Sequence, residues 1–160
     1  MPLDDDLPAS CPRAPVHTVL YVEDHPVNVV LMEALFRRRP GARLRVATSG
    51  EDGLRAALEE RPDLLLLDLR LPDCRGNELL QRLRALPGLA EVPAVAVTAE
   101  DTGDLAAQGF AEVWHKPMDL GYTLVRLDRL LERPAPSAQA RVRIHPALPT
   151  PIPFPLRMEQ

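Results

Sequence analysis

Pro62-Asp-Leu-Leu-Leu-Leu-Asp-Leu-Arg-Leu-Pro-Asp73 is the stretch on which the fold turns. Leu64-Leu-Leu-Leu67 is apolar at every position and closes on a carboxylate, Asp68. A strand reads this way when both faces of its sheet are covered, as in the middle of a parallel sheet. Working outward, Thr18-Val-Leu-Tyr-Val22 predicts a first buried strand and residues 26–39 a helix. Leu44-Arg-Val-Ala47 predicts a second strand, and Ser49-Gly-Glu-Asp opens a helix to about residue 60. Beyond the leucine strand come a helix near 76–86, a strand over Ala94–Val97 and a short helix near 101–107. A strand over Ala111–His115 and a last helix near 119–131 complete the series. Short apolar runs alternating with amphipathic ones imply an α/β fold, a parallel sheet of five strands with five helices on its two faces and right-handed crossovers.

In such a sheet the functional site lies outside the carboxyl ends of the strands. There the first strand gives Glu23-Asp24, the third Asp68, the fourth Thr98, and the fifth runs into Lys116-Pro117. A strand end is often polar simply because it meets water, but four such ends converging on one rim exceed that explanation. Three clustered carboxylates repel one another and call for a hard divalent cation with oxygen ligands, for which Mg²⁺ is the natural choice. Of 19 basic residues one alone is lysine, and it stands at this rim. A compact ammonium suits a small pocket better than a planar guanidinium.

Composition narrows the function classes. The chain has 160 residues and a net charge of -4, which excludes a basic nucleic-acid-binding surface spread over its length. No apolar run approaches the ~20 residues that span a bilayer. The N-terminus lacks the pattern of a secretory signal, and two cysteines are too few for a disulfide framework, so a reducing, cytoplasmic setting is expected. Of 18 prolines, four fall in residues 1–16 and seven in 133–160. Pro146-Ala-Leu-Pro-Thr-Pro-Ile-Pro-Phe-Pro155 cannot form helix or central strand. The expected organisation is an N-terminal extension over 1–16, a folded unit over 17–132 and a proline-rich tail over 133–160.

Four ordered segments closely resemble the receiver domains of two-component response regulators. They are Val19-Leu-Tyr-Val-Glu-Asp-His-Pro-Val-Asn28, Pro62–Asp73 with Gly76 and Glu78, Pro93-Ala-Val-Ala-Val-Thr-Ala99, and Lys116-Pro117. The Glu-Asp-x-Pro-Val-Asn stretch is most similar to receivers attached to hybrid histidine kinases. The resemblance implies a flavodoxin-like, doubly wound sheet in the order 2-1-3-4-5. It also implies that Asp68 accepts a phosphoryl group from a phosphohistidine, forming an aspartyl phosphate. Glu23, Asp24, Asp68 and the backbone carbonyl of Arg70 would hold Mg²⁺. Lys116 and the Thr98 hydroxyl would engage phosphoryl oxygens, and Ala99 would leave the approach open. Arg70 and Glu100, each two residues beyond a site residue, would flank the phosphoryl and could pair. Pro117 would follow a cis bond.

Two departures from the family pattern bear on signalling. Thr98 and Lys116 are 18 positions apart, about one helical turn closer than usual, so the fourth helix is expected to be shortened. The place of the family's switching aromatic ring is Val113, and the ring of Trp114 is one residue later. Neighbouring strand residues face opposite ways, so either the ring-based switch is absent or a bulge shifts the register. In the first helix, Val27, Val30, Leu31, Ala34 and Leu35 suit the sheet side, leaving Val29, Met32 and Phe36 as a second stripe for a docking partner. The expected function is a stand-alone phosphoacceptor, not an enzyme. Its partners would be a histidine kinase or histidine phosphotransfer protein, without direct nucleic-acid or membrane contact and with room for a homodimer. A degenerate receiver that binds partners without phosphorylation is the alternative. An Asp-nucleophile phosphohydrolase is disfavoured, because Arg70 stands where its second acid belongs.

Overall fold

Strands β1 (His17–Val22), β2 (Ala42–Ala47), β3 (Leu64–Asp68), β4 (Ala94–Thr98) and β5 (Glu112–His115) form one parallel sheet in the order β2-β1-β3-β4-β5. Helices α1 (Pro26–Phe36), α2 (Gly50–Glu59), α3 (Gly76–Arg84) and α4 (Leu120–Glu132) cover it. The computed structural model describes residues 16–101 and 103–132; the expected extension, Val16 apart, and the expected tail lie outside them. Among the described residues no helix is long and apolar enough to cross a membrane.

The period of two along each strand divides the core. Leu20 and Val22, Leu65 and Leu67, and Ala94 and Ala96 share one cluster with Ala56 and Ala57 of α2 and Leu79, Leu80 and Leu83 of α3. Val19 and Tyr21, Leu64 and Leu66, and Val95 and Val97 share the other with Met32, Leu35 and Phe36 of α1 and Leu127 and Leu130 of α4. All four leucines of β3 are fully buried, two on each face. Each such burial stabilises the fold by about 2 kcal/mol. The doubly wound architecture expected from the sequence is thus the one observed.

The connection from β4 to β5 departs from expectation. No helix forms over 101–107 among the described residues; Gly103, Leu105 and residues beyond run in bends and turns. The Gln108 amide donates to the Leu105 carbonyl at 3.1 Å, and that of Gly109 to Ala106 at 3.0 Å, three-residue spacings in place of a helical ladder. Asp104 Oδ1 takes the Ala107 amide at 3.1 Å, and Gly109, at a φ of +97°, turns the chain back. Glycines at 103 and 109 leave too short an interval to repay helix nucleation. Leu105 and Phe110 nevertheless plug the same core that α2 and α3 cover.

Leu35 faces the sheet as expected, but the rest of α1 is turned the other way. Met32 and Phe36 are 0% and 6% exposed and belong to the core, while Val27, Val30 and Leu31 are 58%, 59% and 43% exposed. Val29 is half-buried. The helix is apolar all round, so two stripes of equal spacing compete for the sheet. The one with the bulkier Met and Phe side chains removes more apolar surface from water and wins. Past the helix, Arg39 Nη2 reaches Asp128 Oδ2 on α4 at 2.8 Å, tying the two helices of this face together.

Candidate functional site

Parallel strands deliver their carboxyl ends to one rim, and the expected residues meet there. Asp68 ends β3, Thr98 ends β4, Glu23 and Asp24 follow β1 directly, and Lys116 follows β5. The Lys116 amide donates to the Thr98 carbonyl at 2.8 Å, extending the ladder to the lysine itself. The Lys116–Pro117 bond is cis.

Lys116 Nζ joins the two sides of the rim, donating to Glu23 Oε2 at 2.5 Å and to Asp68 Oδ2 at 2.9 Å. The other Asp68 oxygen, Oδ1, accepts the Arg70 amide at 3.0 Å. Glu23 is fully buried and well supplied with donors. Its Oε1 accepts the His25 amide at 3.0 Å, and its Oε2 also accepts Tyr21 Oη at 3.1 Å and Asn28 Nδ2 at 3.3 Å. Burial pushes the Glu23 carboxyl above its ordinary value against the hydrogen bonds from Lys116 and the His25 amide, and the charge of Asp68 pushes the same way. Burial pulls the Lys116 ammonium down, but its hydrogen bonds to Glu23 and Asp68 outweigh that and leave it raised. Burial, reinforced by the charge of Glu23, raises the Tyr21 hydroxyl, which therefore stays protonated and donating.

Oxygens of Glu23, Asp24 and Asp68 all lie within 4.8 Å of one another. Three carboxylates against one ammonium leave a negative cluster of hard oxygens, a donor set fitted to a divalent cation. Asp24 is the exposed member of the three, and among the described residues no hydrogen bond engages its carboxylate. Thr98, buried at the edge of the rim, accepts the Glu100 amide on Oγ1 at 3.0 Å, which leaves its own proton for another acceptor. Ala99 follows it in the chain.

The expected pairing over the mouth is present: Arg70 Nε donates to Glu100 Oε1. Sequence reasoning missed its third member, Arg75, whose Nη2 meets Glu100 Oε2 at 3.0 Å. Tyr21 was also missed as a donor to Glu23, although Glu23 directly follows β1 and lies two residues beyond Tyr21, the spacing of one strand face. Gly76 packs so closely on β3 that an added Cβ would lie 2.3 Å from the Asp68 carbonyl oxygen. Asp73, also missed, reaches from the loop after β3 to the start of α2, where its carboxylate accepts the Gly50 and Glu51 amides at 2.8 and 3.0 Å.

Val113 and Trp114 face opposite sides. The β4–β5 ladder runs unbroken, with Ala96 beside Val113 and Val97 beside Trp114, so no bulge shifts the register. Trp114 packs with Val97 and Leu127, and its Nε1 donates to Glu112 Oε2 at 3.0 Å; Val113 packs in the other cluster. The predicted docking stripe fares differently: Met32 and Phe36 are core residues, and Val27, Val30 and Leu31 form the exposed apolar side of α1.

Residues 19–121 match the response regulator receiver domain, and the chain belongs to that family. It is 34% identical to TcrX of Mycobacterium tuberculosis over 121 residues, covering 72% of this chain and 50% of that one. It is 38% identical over 120 residues to the transcriptional activator protein PfeR of Pseudomonas aeruginosa, covering 74% and 39% of the two. It is 35% identical over 82 residues to the polar-differentiation response regulator DivK of Brucella anthropi, covering 51% and 66%. The chain thus spans half or less of the length of the first two. Among solved structures, it is 31% identical to the receiver domain of sensor histidine kinase PA1611 from Pseudomonas aeruginosa, with a TM-score of 0.66 over 72% of this chain and 98% of that one. That receiver has a magnesium ion coordinated in its active site cleft. A CheY-like receiver domain from Methylobacillus flagellatus is 30% identical, with a TM-score of 0.65 over 72% and 98% of the two chains.

Proposed function

We propose that Asp68 accepts a phosphoryl group from the phosphohistidine of a histidine kinase or histidine phosphotransfer protein, and that the modified chain signals through protein contacts. The observation that carries this reading is Lys116 Nζ held at 2.9 Å from Asp68 Oδ2, beside the Glu23 and Asp24 carboxylates. An Asp68 oxygen attacks phosphorus as the phosphorus–nitrogen bond breaks, and that bond's electron pair returns to the imidazole. Lys116 and the Thr98 hydroxyl then meet phosphoryl oxygens, so the chain's contribution is positioning and charge stabilisation. Glu23, Asp24, Asp68 and the Arg70 carbonyl would hold Mg²⁺, which supplies charge neutralisation for the incoming group. Ala99 leaves the approach unobstructed. The donor helix docks on α1, which begins two residues after Asp24 and exposes Val27, Val30 and Leu31.

Incubation with acetyl phosphate and Mg²⁺, read by intact mass, adds one phosphoryl group. EDTA and Asp68→Asn both abolish it. Equal modification of the variant would overturn the assignment.

A further inference from the structure

We infer that Arg75 is a positioning residue for the lifetime of the aspartyl phosphate, acting through Glu100. The inference rests on the phosphoacceptor reading of Asp68. Glu100 spends its two carboxylate oxygens on two different arginines, Oε1 on Arg70 Nε and Oε2 on Arg75 Nη2. The Arg70 amide touches the acceptor, and the Glu100 amide touches the Thr98 hydroxyl, each at 3.0 Å. The three side chains therefore join the β3–α3 loop to the β4 end, beside the acceptor and the Thr98 hydroxyl.

Arg75 is the less exposed of the two arginines. It bridges back to Arg70 as an antiparallel pair, and its amide donates to Glu78 Oε2 at 3.1 Å at the start of α3. Gly76, next to it, lies against the Asp68 carbonyl. The Arg70 side chain by contrast is 75% exposed and that of Arg75 49%. Without Arg75, Glu100 is left with the more exposed partner.

Loss of the phosphoryl group requires water. The water oxygen bonds to phosphorus as the bond to the Asp68 oxygen breaks, the electron pair returns to the Asp68 carboxylate, and both water protons leave on oxygens of the inorganic phosphate. A Glu100 carboxylate released from its arginines can accept a hydrogen bond from that water, and an open mouth admits it. Held on two guanidiniums, it does neither.

The full chain is phosphorylated with acetyl phosphate, freed of reagent, and followed by intact mass. Arg75→Ala shortens the lifetime roughly two- to fivefold, the range an exposed ion pair can supply. Its rate of modification stays at the wild-type value. Arg75→Lys restores most of the lifetime, and in a Glu100→Gln background Arg75→Ala has no further effect. Raising salt shortens the wild-type lifetime, and the Arg75→Ala lifetime less, because only the Arg70–Glu100 pair remains to be screened. If Arg75→Ala fails to fold, Arg75→Gln, which removes the charge and keeps more of the side chain's length, gives the same reading; the backbone amide to Glu78 is kept in either variant. A wild-type chain left unmodified at Asp68 overturns the phosphoacceptor reading and this inference together. A modified wild type with an unaltered lifetime in the Arg75 variants, or an equal loss in the Glu100→Gln background, overturns this inference alone.

Discussion

The two halves of the sheet are built to different standards. Around β1 and β3 every element is regular, the strand leucines are buried on both faces, and the carboxylates of Glu23 and Asp68 carry several defined partners each. Between β4 and β5 the crossover among described residues is turns, and the strand that follows has four residues, Glu112–His115. The β1–β3 half brings Glu23, Asp24 and Asp68 to the rim on regular elements, whereas the half that contributes Thr98 and Lys116 has no crossover helix among the described residues and holds Val113 where the family pattern has a ring. A fold of this kind can keep the acceptor site while its packing elsewhere is reduced, because the rim is fixed by strand ends and not by the crossover.

Core truncations test that contrast most forcefully. Leu66→Ala should destabilise the fold by about 4 kcal/mol, near the top of the range for buried leucines, because regular elements on both sides cannot collapse into the space. Leu105, equally hidden but held by turns, should cost about 2 kcal/mol on the same substitution, since the turns can settle. Urea unfolding of the two variants measures both. Equal costs would show that the turn segment packs as firmly as a helix, and the two halves would no longer differ in kind.

The sequence made the regular half legible for a physical reason. Leu64–Leu67 fits only a strand covered on both sides, and with the alternating pattern it fixes where Glu23, Asp24, Asp68, Thr98 and Lys116 converge. The phase of α1 was not legible, because Val27–Val30–Leu31 and Val29–Met32–Phe36 are both apolar at helical spacing, and only tertiary volume decides between them. The missing helix was half-visible: the shortened interval and Gly103 pointed to a loss, but local composition could not say that turns closed by Gly109 would replace it. Arg75 and Asp73 act across loops that the chain brings together only on folding, so their partners leave no periodic trace.

Asp73 offers a smaller effect within the regular half. Its carboxylate lies on the free amides of Gly50 and Glu51 at the positive end of α2, and those hydrogen bonds hold it below the ordinary carboxylate value. A carboxyl lowered on folding adds stability above its unfolded value, and that stability is lost as the pH falls through the folded value. The loss should therefore set in below about pH 4. Because Asp73 is exposed, screening limits the contribution to about 0.5–1 kcal/mol. Asp73→Asn should lower stability by that amount at pH 7 and flatten the acid limb of the stability curve. An unchanged acid limb would mean that the loop after β3 is not tied to α2 in solution.

The smallest expected effect is the sharpest test of the weaker half. Trp114 is the single tryptophan of the chain, 3% exposed, and it packs beneath α4 on the face opposite Val113. Glu112 fixes the ring through Nε1, and Arg126 of α4 holds the same carboxylate through Nε at 2.9 Å. Thr98 shares its strand face with Ala96, beside Val113, so a hydroxyl drawn toward a phosphoryl group moves on the side away from the indole. No bulk follows it, since Val113 cannot swing as a ring does. Phosphorylation should accordingly leave Trp114 emission near its starting value, while amide exchange slows in the loops at 69–75 and 99–101. A two-state relay needs an element that packs differently in its two states, and on the proposed reading that element is expected at the rim. An emission change on phosphorylation approaching that of unfolding would put it in β5 and α4 instead, and the contrast between the halves would fail.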